Sequence, residues 1–346
     1  MISERENFQL MLDGKQPEFV PAAMNLFDLV LPSIGTDRPV NCAEGIDGFG
    51  VKWIAPEGEP PMPDTQQDHV LKDICDWREV VKFPDLDAVD WEACAKRDLA
   101  LCKPAQLTLV QLTSGPTERI RELMGYENAL CAMMEDPEEC EAFIEAFCDW
   151  RIREIQLIAK YYKPDMIQFQ DDWGTQQNLM FMPDFWRDVV KPNIKRCIDA
   201  CHDCGVLFDM HSCGKIDLII DELVELEPDM IDSVMVCNDL DGWMERFGRK
   251  VVFLGGVDTQ GVIDRVDSTK EQIRGEMKYR MDRYCPKANF IPMPYGTNTK
   301  NMVEAMMFAA RYGYKFGGAK HGTLRFLKML PHAMELKNRT NTAAGL

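Results

Sequence analysis

Histidine is scarce in this chain, with five in 346 residues. Positive charge is short as well: 39 Lys and Arg stand against 57 Asp and Glu, a formal charge of -18. That balance excludes the basic footprint that nucleic acid or an anionic membrane surface requires, and it disfavours a polyanionic substrate. No apolar run approaches the ~20 residues that cross a bilayer. The opening "MISERENFQL" shows no signal-peptide pattern, so a cytoplasmic location is expected. No low-complexity tract or linker divides the chain, and no Gly-x-Gly-x-x-Gly follows the first apolar run, which leaves a dinucleotide-binding fold without support. Cysteine is plentiful. The 13 cysteines are irregularly spaced in a long chain, so they read as reduced, mostly buried small hydrophobes rather than a disulfide framework. The 22 methionines read as core filling.

A repeating unit is present: a short apolar run, a polar cluster, then an amphipathic helix. The runs are "FVPAAMN" (Phe19–Asn25), "LTLVQL" (Leu107–Leu112), "DMIQFQ" (Asp165–Gln170), "VLFDMH" (Val206–His211), "MIDSVMV" (Met230–Val236), "VVFLG" (Val251–Gly255) and "NFIPM" (Asn289–Met293). Helical patterns lie between them at Pro137–Tyr162, Pro183–Gly205, Lys215–Met230, Ser268–Cys285 (from a Ser-x-x-Glu capping box) and Asn298–Gly313. Strand–helix alternation at about 30–40 residues per unit predicts parallel strands with crossover helices. The expected architecture is α/β, a single (β/α)8 TIM barrel over residues 1–346 with an N-terminal extension. The stretch Ile46–Leu71, with "GFGVKW" and the Pro-rich "APEGEPPMPD", breaks the rhythm and reads as a hairpin or lid insertion.

Barrel chemistry sits at the C-terminal ends of strands. Those ends offer Asn25, Phe27 and Asp28; Gln111 and Thr113; Gln170, Asp171, Asp172 and Trp173; His211 and Cys213; Cys237 and Asn238; Asp258 and Thr259; and Tyr295. His211 and Cys213, two residues apart before Gly214, are zinc-type ligands. The same spacing also suits a core cysteine beside a hydrogen-bonded histidine. Asp171 and Asp172 read as general acid or base, or as a solvated loop with a helix cap. Trp173 reads as a pocket wall or as packing. In "FLGGVDTQG", Asp258 follows a Gly-Gly turn that lets backbone approach a ligand, and Asp258 equally suits a helix cap.

Seven segments in order, "RENFQLMLDGKQPEFVP", "GFGVKW", "FQDDWGTQ", "MPDFWRDVVKPNIKR", "MHSCGKI", "FLGGVDTQ" and "GTNTKNMVEAM", resemble the uroporphyrinogen decarboxylase superfamily along most of the chain. The resemblance implies the (β/α)8 barrel. True decarboxylases of that family carry an Arg-rich N-terminal loop for a polycarboxylate, whereas here the only basic residue between Arg5 and Arg38 is Lys15. The resemblance therefore turns to the branch of cobalamin-dependent methyltransferases, in which a His-x-Cys and a later Cys hold zinc. His211 and Cys213 match the first part. The later cysteine is missing from "NFIPMPYGTNTKNM", so Cys237, Tyr295, an aspartate or no ligand at all stands in its place. The function implied is methyl transfer between a small methylated compound, an O-methyl one first, and a corrinoid protein. Zinc acts as Lewis acid, Asp171 or Asp172 as proton donor, and cobalamin rides on the separate partner. Substrate contacts are expected from Asn25, Phe27, Gln111, Gln170, Trp173, Asp258 and Tyr295, and the family implies a homodimer. The alternatives are a decarboxylase of a smaller substrate using Asp28 or Asp171, and a ligand-binding barrel without catalysis.

Overall fold

The computed structural model describes residues 2–40, 43–56 and 61–317. The strands, in chain order, are β1 (Phe27–Val30), β2 (Gly45–Ile46), β3 (Lys52–Ile54), β4 (Met62–Pro63), β5 (Leu107–Leu112), β6 (Met166–Gln170), β7 (Leu207–His211), β8 (Met230–Val234), β9 (Val252–Gly256) and β10 (Phe290–Met293). The chain forms two compact units. One holds residues 29–103 and 107–229; the other holds residues up to 28, 104–106 and those from 230 onward.

In the first unit β5, β6 and β7 run parallel in register, with Gln111 beside Gln168 and Gln170 beside His211. Parallel neighbours need a crossover, and helices Pro116–Met124, Tyr126–Glu135 and Pro137–Tyr161 supply the one after β5. Proline opens two of these helices, where its missing N–H costs nothing. The 25-residue Pro137–Tyr161 helix buries Phe143, Phe147, Ile155 and Ile158 at helical spacing. Phe143 and Phe147 stack against Phe49, Trp77, Phe83 and Trp150. Each fully buried ring contributes about 1.5–3 kcal/mol. After β6 the chain is helical from Pro183 to Asp203, with a π-helical turn at Trp186–Val190 just ahead of Pro192, which has no N–H to give.

The expected hairpin insertion is an antiparallel sheet of three strands, β2–β3–β4, pairing Gly45 with Trp53 and Ile54 with Met62. Part of its Pro-rich stretch, residues 57–60, lies outside the described residues. Asp47 organises the turn of "DGFGVKW". Its Oδ1 accepts the Phe49 and Val51 N–H groups (3.0 and 2.9 Å), and Oδ2 accepts Trp53 Nε1 (3.0 Å) and Arg119 (2.7 Å). Arg119 also reaches Asp37, and Arg151 binds Asp37 at 2.7 Å and Glu154. Both guanidinium groups are fully buried. Arg119 ties the insertion to the Pro116–Met124 helix, and Arg151 ties the Asp37 loop to the Pro137–Tyr161 helix.

In the second unit β8, β9 and β10 are parallel, with helices Leu240–Arg246, Lys270–Tyr284 and Thr299–Tyr312 following them. Three expectations are corrected. Phe19–Asn25 is not a strand: Pro21 interrupts it, Ala23–Leu26 turns as a short helix, and β1 starts only at Phe27. The capping box of the Lys270–Tyr284 helix is Thr269 with Gln272 rather than Ser268 with Glu271, because the Ser268 hydroxyl donates to the Val262 carbonyl. The Lys215–Met230 helix shrinks to Ile220–Glu225, since the Lys215 N–H is taken by the Thr175 carbonyl at 2.7 Å. Among the described residues no helix is long and apolar enough to cross a membrane.

Candidate metal centre

The parallel register of β6 and β7 brings two loops out side by side. The ladder runs on past the strands: Asp171 N donates to the His211 carbonyl (3.0 Å), Trp173 N to Ser212 Oγ (3.0 Å), and Gly174 N to the Cys213 carbonyl (3.2 Å). Gly214 sits at φ +84°, and a side-chain carbon there would lie 2.1 Å from the Gly174 carbonyl oxygen. Only glycine allows both that backbone and that approach.

This pairing gathers Asp172, His211 and Cys213, with one ligand atom of each lying within 4.8 Å of the others. His211 Nε2 is 3.5 Å from Cys213 Sγ and 3.7 Å from Asp172 Oδ1. Tetrahedral zinc, with ordinary Zn–N, Zn–S and Zn–O lengths, needs ~3.6 Å between such N and S atoms and ~3.4 Å between N and O. The donor set and its spacing fit zinc. The Cys213 N–H, donating to Asp172 Oδ1 at 2.6 Å, fixes the carboxylate, and Arg121 holds the Asp172 carbonyl at 2.8 Å.

Asp171 points elsewhere. It is fully buried and accepts from Thr117 Oγ1 (2.7 Å), Glu118 N (2.8 Å), Trp173 Nε1 (2.8 Å) and Thr117 N (3.4 Å). It packs on Gly115, where an added side-chain carbon would meet its Cβ at 2.3 Å. Burial pushes its carboxyl up, against the pull of Arg121. Asp171 thus clamps the N-terminus of the Pro116–Met124 helix to the loop. Glu118, in the first turn of that helix, is driven well above the usual carboxylate range by burial and then by the charge of Asp172.

Behind the loops, alternate residues of three strands form a polar row. Gln111 donates to Gln168 (2.6 Å) and Gln170 (3.5 Å), and Gln168 donates to Asp209 (3.1 Å). Gln111 and Gln170 therefore share a face. Trp173 is fully buried against Trp186, with its N–H used by Asp171, so it packs rather than walls a pocket. Gln168, Asp209, Glu118 and Arg121 were not among the expected site residues. Period-two counting back from Gln170 and His211 finds the first two.

The remaining expected residues belong to the other unit. Asn25 lies in the short Ala23–Leu26 helix, not at a strand end, and Phe27 opens β1 with its ring against Phe8. Cys237 follows β8, with Asn238 Nδ2 3.8 Å from its sulfur. The Asp258 side chain caps the turn after β9 by accepting Gly261 N at 2.8 Å, and Tyr295 donates to Asp232.

Parallel strands alternating with helices, and a cluster that could hold a metal on the loops after β6 and β7, define an α/β protein. The family model for uroporphyrinogen decarboxylase (URO-D) matches residues 46–303, and the chain belongs to that family. Among solved structures it is similar to a methyltransferase from Methanosarcina mazei, at TM-score 0.68 and 12% identity, covering 89% of this chain and 98% of that one. The likeness is one of fold. A weaker one, to a protein described as a vitamin-B12 independent methionine synthase from Listeria monocytogenes, has TM-score 0.41 and 14% identity over 63% of this chain and 66% of that one. No curated protein sequence matches.

Proposed function

We propose that this chain is a methyltransferase that takes a methyl group from a small methylated compound, an O-methyl one first, and passes it to the corrinoid of a separate cobalamin-bearing protein. The observation that carries this reading is the Asp172–His211–Cys213 cluster, whose three donors meet the count for a catalytic zinc within one unit. Family membership and the likeness of fold to a methyltransferase support it. Bound zinc supplies Lewis acidity at the heteroatom that carries the methyl group, stronger here, with one thiolate, than in a set with two.

The residues of the chain supply the rest. Cys213 N and Arg121 orient Asp172 as a ligand, so its expected role as acid passes elsewhere. Asp171 is also unsuited to that role, because four donors occupy its oxygens. Glu118 holds a proton more firmly than an ordinary carboxylic acid and is the group we assign to serve the departing oxygen. A corrinoid protein is the partner this reading requires; a homodimer and a cytoplasmic setting accord with it.

The test is metal content of the purified protein, followed by methyl transfer from methoxybenzoates to Co(I) cobalamin, read spectroscopically. Stoichiometric zinc and a His211→Ala variant with at least ~100-fold slower transfer are expected. Zinc-free protein after reconstitution, or undiminished transfer in that variant, sinks the reading. Carbon dioxide release without any corrinoid favours a decarboxylase instead.

A further inference from the structure

A cavity of about 440 Å³ lies between the β2–β3–β4 sheet and the Pro116–Met124 helix, in the size range of small-molecule sites. Arg38 lines it. Its guanidinium carbon stands 3.6 Å over the ring of Trp53, which is itself fixed by the bond from Nε1 to Asp47. Arg38 Nε donates to Thr113 Oγ1 at 3.1 Å, but Nη1 is buried with no hydrogen-bond partner. Among the described residues no carboxylate stands within ion-pair distance of Arg38, although its charge pulls on Glu122 and Asp37 from farther off. Other charged groups around the cavity have near partners: Lys52 has Asp64 (3.0 Å), Glu122 has Arg119 (3.1 Å), and Arg121 donates to the Asp172 carbonyl (2.8 Å).

A buried, unpartnered guanidinium N–H is costly unless something fills its place. Stacking on the indole and the bond from Nε to Thr113 leave the two Nη groups uncommitted, and a guanidinium edge fits a carboxylate with two parallel bonds once a small shift brings the buried Nη1 to the cavity. The lining holds two more buried atoms without a hydrogen-bond partner, Glu118 Oε2 and Glu122 Oε2, the latter ion-paired with Arg119. The cavity also exposes apolar side chains: Ile46 (67% exposed), Met62 (38%) and Tyr126 (52%). A polar base and an apolar rim select a molecule with one charged end.

We propose that this cavity binds a small organic carboxylate with a flat apolar body, its carboxylate on Arg38 and its body against Ile46, Met62 and Tyr126. The site shares Glu118 with the proposed function but requires neither zinc nor methyl transfer, so the two can fail separately.

Calorimetry with 2-naphthoate, against its neutral counterpart 2-naphthamide, tests it. The acid is expected to bind at least ~10-fold more tightly than the amide, the discrimination of one charge-assisted pair. Arg38→Gln lowers the acid to the level of the amide while leaving zinc content unchanged, and Met62→Gln weakens both several-fold, which places them in this cavity. Equal binding of acid and amide, no binding of either at millimolar concentration, or an Arg38→Gln variant that binds like wild type overturns the proposal. If Arg38→Gln does not fold, the acid–amide comparison and Met62→Gln still decide.

Discussion

Asp172→Asn separates ligation from positioning at the candidate metal centre. In the native loop Asp172 Oδ1 accepts the Cys213 N–H at 2.6 Å and stands 3.7 Å from His211 Nε2. An asparagine oxygen still accepts that N–H. Only the charge assistance is lost, about 1 kcal/mol, so loop and fold persist. Zinc binding changes far more. The two spacings from His211 Nε2, to Cys213 Sγ and to Asp172 Oδ1, already lie within ~0.3 Å of tetrahedral zinc, and all three donors lie within 4.8 Å of one another. Exchanging an anionic ligand for a neutral amide therefore shows directly, as a loss of about 3 kcal/mol or more, ~100-fold in Kd. Asp172→Ala removes ligand and acceptor together and adds about 1 kcal/mol of instability. The assay is a chelator-competition titration of zinc, with urea unfolding of the apoproteins alongside. Unchanged zinc affinity in Asp172→Asn, with the fold intact, refutes the assignment of Asp172 as ligand.

Gly214→Ala forces a side-chain carbon to within 2.1 Å of the Gly174 carbonyl at φ +84°, so the two loops must part. A loss of about 3 kcal/mol in urea unfolding is expected, together with weaker zinc binding. The fully buried Glu154 is pushed up to about 7, because burial outweighs the attraction of Arg151. A carboxyl raised on folding stabilises the fold fully below its ordinary value of 4.5, and that stabilisation is lost as pH rises through about 7. Thermal melts should therefore show stability falling across this window, and the fall should be smaller in Glu154→Gln; an identical slope in the variant would count against the burial argument.

Six of the seven apolar runs could be read as strands because tertiary structure agrees with local preference there. "LTLVQL" is β5 to the residue. Phe19–Asn25 misled because its apolar content outweighed the one mark against a strand, Pro21 inside the run. His211 and Cys213 were legible because the residues themselves are scarce or distinctive. Asp171 and Asp172 were not separable: which of two adjacent acids faces a ligand depends on loop backbone, and here the difference is a packed Gly115 more than fifty residues earlier. The buried arginines were hidden for another reason. Arg151 lies on the same helical stripe as Phe147 and Ile155, but its partners Asp37 and Glu154 come partly from a distant loop. Arg38 had no signal at all, since its lack of a partner is a property of the folded chain.

The sheet over the cavity is fastened by charge. Apolar faces can slide by fractions of an ångström at small cost, but the Asp47–Arg119 contact cannot loosen halfway without stranding a charge in a dry interior. The segment therefore opens as one body. In hydrogen exchange the Phe49 and Val51 amides, both held by Asp47 Oδ1, are therefore expected to share a single protection factor, set by the free energy of breaking the Asp47–Arg119 contact.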